Sequence, residues 1–279
     1  MRVLGCSREA LAGHLREIEA LGVEVRQGRL TQPIDLLDRG QLPSSVDIVD
    51  ECLSTNALML DRALQGAPHG SVLAAEHQTA GRGRRGNAWL SAVGAGLAFS
   101  LLWRFERLGP ALSGLSLATA VGAARALESL GVQGIAVKWP NDLLIGGRKL
   151  GGILIEMTGE AAVIGVGINA RLPEALAAQL PGAADLSGYG PPPRTRLLCV
   201  LLEHLAAVLE EFTASGFGAL RDEWHARHAW QDREVTLQIA ERRIAEGRAL
   251  GVDESGALLL DAPGGVQRFH SGDLSLRPA

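Results

Sequence analysis

Residues 138–169, KWPNDLLIGGRKLGGILIEMTGEAAVIGVGIN, decide how the chain folds. The run Ile135 to Trp139 reads as a strand, and Pro140 biases Trp139 to extended backbone, which marks a strand end. Leu143 to Ile145 is a second short strand. Gly146-Gly147 follows as a hairpin turn, since tight two-residue turns need residues at ease with positive φ. Gly151 to Met157 and Ala161 to Ile168 continue the sheet, with another turn at Gly159. Turns this short join antiparallel neighbours.

Working outward toward the N-terminus, Ser113 to Leu130 has the period of an amphipathic helix ended by Gly131. Ala95 to Trp103 and Ser71 to His77 read as buried strands. Ser54-Thr55-Asn56 opens a helix-like run, and the main unit starts near Ser44. Toward the C-terminus, the breaker-rich GYGPPP at 188–193 precedes a long helix, Thr195 to Phe212, whose leucine stripe is core contact. Beyond it, Glu234 to Ile239, Arg248 to Val252, Ala257 to Asp261 and Val266 to His270 alternate with turn residues, the pattern of a small all-β module. At the start, residues 7–21 carry Leu11, Leu15, Ile18 and Leu21 at helical spacing, with Ser7 as N-cap and Gly22 as stop. Val23 to Val25 and Arg29 to Ile34 flank a turn at Gln27-Gly28, so a helix precedes a two-stranded wing.

The 279 residues, 47% hydrophobic and 21% charged, are those of an ordinary globular protein able to bury a core without staples. A net charge of −4 gives no global attraction to nucleic acid or anionic lipid. Cys6, Cys52 and Cys199 lie far apart and read as reduced thiols of a cytoplasmic protein. No signal peptide or membrane span is expected. One bias is informative. Among 27 basic residues only Lys138 and Lys149 are lysine, and asparagine occurs only at 56, 87, 141 and 169. A GC-rich genome disfavours both residues, so those retained mark places where Arg or Asp does not substitute.

All of these residues fall in motifs. Gly81-Arg82-Gly83-Arg84-Arg85-Gly86 matches GxGxxG, but no helix-forming sequence follows to receive a dinucleotide, which argues against an NAD-dependent oxidoreductase. Three arginines in four positions instead suit an anion clamp, because guanidinium forks pair bidentately with phosphate and carboxylate. Lys138-Trp139-Pro140-Asn141-Asp142 places an amide fit for a base or ribose edge beside a carboxylate fit for Mg²⁺. Lys149 begins an otherwise apolar strand. Gly165-Val166-Gly167-Ile168-Asn169 leaves room against the sheet.

Ser-Thr-Asn at 54–56, EHQTAGRGRRG at 76–86, Lys-Trp-Pro-Asn-Asp at 138–142, KLGGILIE at 149–156, Gly-Val-Gly-Ile-Asn at 165–169 and SGDLSLR at 271–277 together, in this order, resemble the biotin protein ligases. The resemblance covers roughly residues 44–277. It implies an α+β fold: a class II aminoacyl-tRNA synthetase-like catalytic domain with a mixed, mostly antiparallel sheet over 44–231, and a small C-terminal SH3-like β-barrel over 232–279. Residues 1–43 resemble part of a winged helix, its recognition helix and wing, plus a linker. Two positions depart from the family pattern, Thr79 and Leu53, both peripheral to the chemistry.

The resemblance implies an enzyme that uses ATP, biotin and Mg²⁺ to make biotinyl-5′-AMP, then modifies a lysine of the biotin carboxyl carrier protein of acetyl-CoA carboxylase, with a homodimer as its oligomer. It assigns biotin to Ser54, Thr55, Asn56, Gln78, Arg82, Gly83, Arg84 and Lys149. ATP falls to Arg84, Arg85, Trp89, Asn141, Asp142 and Asn169, the metal to Asp142, and catalysis to Lys149, Arg82 and Arg84. The 81–92 loop is expected to order over the adenylate. Rival readings are a lipoate or octanoyl ligase and a DNA-binding repressor that senses biotinyl-adenylate.

Overall fold

The computed structural model describes residues 8–27, 29–30, 34–105, 114–190, 192–240, 242–272 and 274–278. A helix α1 (Arg8–Ala20) and a hairpin of β1 (Val25–Arg26) and β2 (Arg29–Leu30) come first. The central unit contains β3 (Val46–Cys52), α2 (Thr55–Leu64), β4 (Val72–Gln78), β5 (Gly96–Arg104), α3 (Leu115–Ser129), β6 (Ile135–Lys138), β7 (Asp142–Ile145), β8 (Arg148–Thr158) and β9 (Ala161–Asn169). Then follow α4 (Glu174–Ala177), α5 (Arg194–Ser215), α6 (Arg221–Arg227) and the strands β10 (Glu234–Ile239), β11 (Arg242–Val252), β12 (Leu258–Ala262), β13 (Gly265–Phe269) and β14 (Leu274–Pro278).

The seven-stranded sheet has the order β3-β4-β5-β9-β8-β7-β6. Only β3 and β4 pair in parallel; the other neighbours are antiparallel, with the β7–β8 hairpin turning at Gly146-Gly147 as expected. The fold is therefore mixed α+β with a mixed sheet. Because successive strand residues face opposite ways, each strand serves two layers. Leu97, Phe99, Leu101 and Trp103 of β5, with Ala162, Ile164, Val166 and Ile168 of β9, face α3 and α5 in the main core. On the other face Met59 and Ala63 of α2 cover Leu73, Leu102, Ala161 and Val163.

Register then sets up a floor. Ala98, Gly167 and Gly152 lie side by side across β5, β9 and β8, and Ser100, Gly165 and Leu154 form the next row. All but Leu154 are small, so this part of the second face is not filled by its own side chains.

The C-terminal strands form a separate five-stranded antiparallel sheet, β13-β12-β11-β10-β14, around Val235, Leu237, Leu258, Leu260 and Leu276. It joins the central unit where Ala229 donates to Val137 O and the Trp139 indole donates to Gly256 O. The N-terminal unit docks too. Val93 donates to Leu21 O, Arg26 pairs with Glu174, and the segment after it is tied down by the buried Glu76–Arg194 pair, Glu76 accepting from Leu37 N–H.

Several boundaries differ from expectation. The wing strands are two residues each; residues 31–33, with Ser7, Cys6 and Ser113, lie outside the described residues. Four of the labelled elements were not anticipated: β3, α4, α6 and β14. As an edge strand with Asp47, Asp50 and Glu51, β3 lacks clean alternation, and charge on an edge guards against unwanted pairing. No described helix is long and apolar enough to cross a membrane.

Candidate active site

A cavity of about 570 Å³ opens over the glycine floor, a size usual for small-molecule sites. Ser54, Thr55, Asn56 and Gln78 line it from α2 and β4. Arg82, Gly83, Arg84, Arg85 and Trp89 come from the loop, and Asn141, Asp142 and Lys149 from the β7–β8 side. Thus twelve of the thirteen site residues expected from sequence share one cavity. Asn169 does not line it. That side chain is buried, and its amide donates to Ala184 O at 3.0 Å, securing the segment after β9.

The floor explains the glycines. A Cβ on Gly165 runs into the Asn56 amide, and one on Gly167 into the Trp89 indole. Close approach, not backbone freedom, is what these positions require.

Next to the floor lies a buried neutral network. Thr55 donates through its backbone N–H to Gln78 Oε1 at 2.7 Å, and its hydroxyl reaches the same oxygen at 3.2 Å. Ser100 Oγ stands 2.8 Å from Thr55 Oγ1 and 2.6 Å from Asn56 Oδ1. Ser54 occupies the N-cap of α2 but makes no side-chain capping bond, which leaves its hydroxyl available to the cavity.

The charged part is arranged around Asp142. Lys149 Nζ lies 2.7 Å from its Oδ1 and Lys138 Nζ 3.3 Å from its Oδ2. Burial pushes the Asp142 carboxyl up, but the Lys149 and Lys138 ammonium groups outweigh it and hold it below the usual carboxylate range. Burial lowers Lys138 below the ordinary lysine value; Asp142 only partly restores it, and the nearby Arg277 adds to the fall. Lys138 also sits 5.4 Å over the Trp230 ring. Lys149 is the more exposed of the two, at 43% of its side chain against 11%.

This arrangement bears on the metal expected at Asp142. With both Asp142 oxygens engaged by ammonium groups, the residue does not fit a protein-held Mg²⁺. No cluster of three or more His, Cys, Asp or Glu suited to a metal occurs among the described residues.

The loop is folded on itself. Gly83 N–H donates to Asn87 O, Trp89 N–H donates to Gly81 O, and Arg85 takes a φ of 60°. Arg84 crosses to two other elements. It donates to Asn141 Oδ1 at 3.2 Å and to the Ser271 and Gly272 carbonyls. Arg82 pairs with Glu156 at 3.1 Å. The Trp89 indole N–H is buried without an acceptor among the described residues.

Sequence reasoning missed Ser100, Glu156, Arg277 and the 179–183 segment, all at or beside the cavity. The signal for Ser100 was its place as the polar member of an apolar strand, one alternation from Ala98. Arg277 belongs to a strand that composition alone did not reveal.

Two family models match the chain: the biotin/lipoate A/B protein ligase family over residues 51–170, and the biotin protein ligase C terminal domain over residues 232–277. The bifunctional ligase/repressor BirA of Escherichia coli strain K12 is 37% identical over 99% of this chain and 91% of its own length. The biotin--[acetyl-CoA-carboxylase] ligase of Mycobacterium tuberculosis is 33% identical over 88% of this chain and 97% of its own. Among solved structures, the Aquifex aeolicus biotin protein ligase in complex with biotin and ATP superposes with a TM-score of 0.73 at 28% identity, covering 85% of this chain and all of the other. With the ordered motifs gathered at one cavity and relatives this similar along nearly their whole length, the chain belongs to the biotin protein ligase family.

Proposed function

We propose that the enzyme joins biotin to ATP as biotinyl-5′-AMP and then transfers biotin to a lysine of a biotin carboxyl carrier protein of acetyl-CoA carboxylase. The observation that carries this reading is one cavity combining a buried neutral hydrogen-bonding network with the cations Arg82, Arg84 and Lys149. Biotin has a neutral ureido head and an anionic tail, and the site has a part suited to each.

Ser54, Thr55, Asn56 and Gln78 serve the head. In the first step a carboxylate oxygen attacks the α-phosphorus, the bond to the bridging oxygen breaks, and pyrophosphate leaves. Two anions must meet, so Lys149, Arg82 and Arg84 lower the barrier by screening their repulsion and holding the charge that develops; such donors are typically worth ~3–4 kcal/mol each. Gly83 admits the backbone close to the ligand. Arg85, Trp89 and Asn141 serve the nucleotide, with Asn169 acting at a distance by fixing the 169–184 segment. Mg²⁺ enters as part of the MgATP substrate, and no step is routed through a protein-held ion. In the second step the acceptor amine attacks the acyl carbon and AMP leaves. Closure of the 81–92 loop keeps water from the mixed anhydride until then.

The finer fold labels belong to the same proposal: a class II aminoacyl-tRNA synthetase-like sheet over 44–231, an SH3-like module over 232–279 supported by its five antiparallel strands, and a winged-helix part over 1–43. A cytoplasmic location fits the free thiols of Cys52 and Cys199. DNA binding is not proposed: α1 carries three glutamates against two arginines, a poor match for phosphate. A gel shift that depends on biotin and ATP would reverse that judgement.

Biotin-dependent pyrophosphate release from ATP, followed by label transfer to a biotin-carrier domain, tests the reading. Release with lipoate or octanoate but not biotin would overturn it.

Two variants probe the parts. Arg84→Ala cuts the link from the loop to Asn141 and to residues 271–272, so the adenylate should escape about tenfold faster, seen as label on a bystander protein. Gly167→Val should drive Trp89 off the floor and weaken biotin binding at least tenfold by calorimetric titration, on the order of the cost of overpacking a tight site.

A further inference from the structure

Glu156 has no part in the function described so far, yet it ends the hydrogen-bonded chain that begins at Gln78. Its Oε2 accepts from Asn56 Nδ2 at 2.9 Å and from Arg82 Nη2 at 3.1 Å. Behind Asn56 stand Ser100, Thr55 and Gln78, each within hydrogen-bond distance of the next. The chain draws on α2, β4, β5 and β8, and reaches the loop through Arg82. Its inner members are buried, whereas Glu156 is 27% and Arg82 44% exposed. The carboxylate therefore stands at the rim, with a rigid neutral neighbour on one side and a cation from the loop on the other.

We propose that Glu156 is a positioning residue that anchors the first arginine of the loop to the biotin-head network, so that the head cradle and the closed loop act as one hydrogen-bonded unit. This rests on the site reading given above and deepens it. Asn56 holds the carboxylate in place, because its amide also donates to Leu154 O and its oxygen faces Ser100. The carboxylate in turn holds Arg82, whose long side chain otherwise samples many rotamers. An ion pair with one partner fixed loses less entropy than a pair between two free surface chains, so it orders the loop more than an ordinary surface salt bridge. A neutral isostere keeps the Asn56 contact through its carbonyl but leaves Arg82 only a neutral hydrogen bond in place of an ion pair, which weakens the hold on the loop.

Retention of labelled biotinyl-adenylate, formed in place from biotin and ATP and chased with unlabelled biotin, tests the assignment on the full chain. Glu156→Gln should release adenylate about tenfold faster while the KM for biotin in pyrophosphate release changes little. Glu156→Asp should restore much of the retention, and Glu156→Ala should not. Adding Glu156→Gln to Arg82→Ala should bring no further loss, since both remove one interaction. A thermal midpoint near wild type for Glu156→Gln separates this from general loosening. Wild-type retention in Glu156→Gln, or effects of the two substitutions that multiply, overturns the inference. Failure of the wild-type enzyme to form any adenylate overturns the site reading, and the inference with it.

Discussion

Lys149→Ala should slow biotin-dependent pyrophosphate release by 10²–10³-fold, on the scale of removing one preorganised donor from a developing charge. Three features argue for so large an effect. The ammonium is the more accessible of the pair flanking Asp142, so an anion entering the cavity meets it first. Its backbone is fixed on both sides, Lys149 N–H donating to Gly182 O and Lys149 O accepting from Ala184 N–H, which points the side chain without help from ligand. Its loss also leaves the Asp142 charge opposite the substrate with only Lys138, a lysine whose own charged form burial disfavours. The fold should suffer little, because a 43% exposed side chain contributes little packing. Lys149→Arg should recover only part of the rate, since a planar guanidinium does not reproduce a compact charge 2.7 Å from Asp142. Pyrophosphate release by Lys149→Ala within a few-fold of wild type would remove this residue from the chemistry.

The scarcity of lysine and asparagine led to the same place. Both lysines meet on one carboxylate, and Asn56 and Asn141 line the cavity. Such residues were legible because their motifs are local: a strand end, a turn, a glycine-rich loop. Ser100 and Glu156 were not, because each is a single polar residue in an apolar strand. Only the register of β5 against β9 and of β9 against β8 shows that Ser100 lies beside Gly165, and which face is open. Asn169 is the opposite case, for it does not line the cavity. It sits in a motif of the right kind, and strand alternation places it on the same face as Gly165 and Gly167, but at the end of β9 the Ala184 carbonyl takes its amide. That two ammonium groups face the Asp142 oxygens was not legible either, since the pairing of β7 with β6 and β8 brings them there. The expected hairpin at Gly146-Gly147 did form between β7 and β8, since turn chemistry is encoded within a few residues.

Acid should loosen the junction between the two sheets before it protonates the carboxylates that partners hold low. His228 stacks on Trp224 with ring centroids 4.6 Å apart, and among the described residues neither ring nitrogen makes a well-formed hydrogen bond, the Gln231 side chain being the polar neighbour. Burial lowers its pKa from 6.5 to about 4, which the Gln231 side chain only partly opposes. The folded protein thus holds fewer protons on this residue than the unfolded chain between those values. Stability is fully present above about pH 6.5 and falls as pH drops toward 4, by about 2 kcal/mol at pH 5 and about 3 kcal/mol at pH 4. Carboxylates held low by partners, such as Asp142 and Glu223, add their losses only further down, as pH passes through their depressed values. His228 also pairs with Val137, one residue before Lys138, and leads into Trp230 at the cavity wall. Charging it should therefore cost adenylate formation as well as stability. His228→Phe keeps the stacking and removes the proton, so urea unfolding of this variant should lose the pH 4–6.5 dependence while wild type keeps it. Parallel pH profiles for the two proteins would show that the acid sensitivity lies elsewhere.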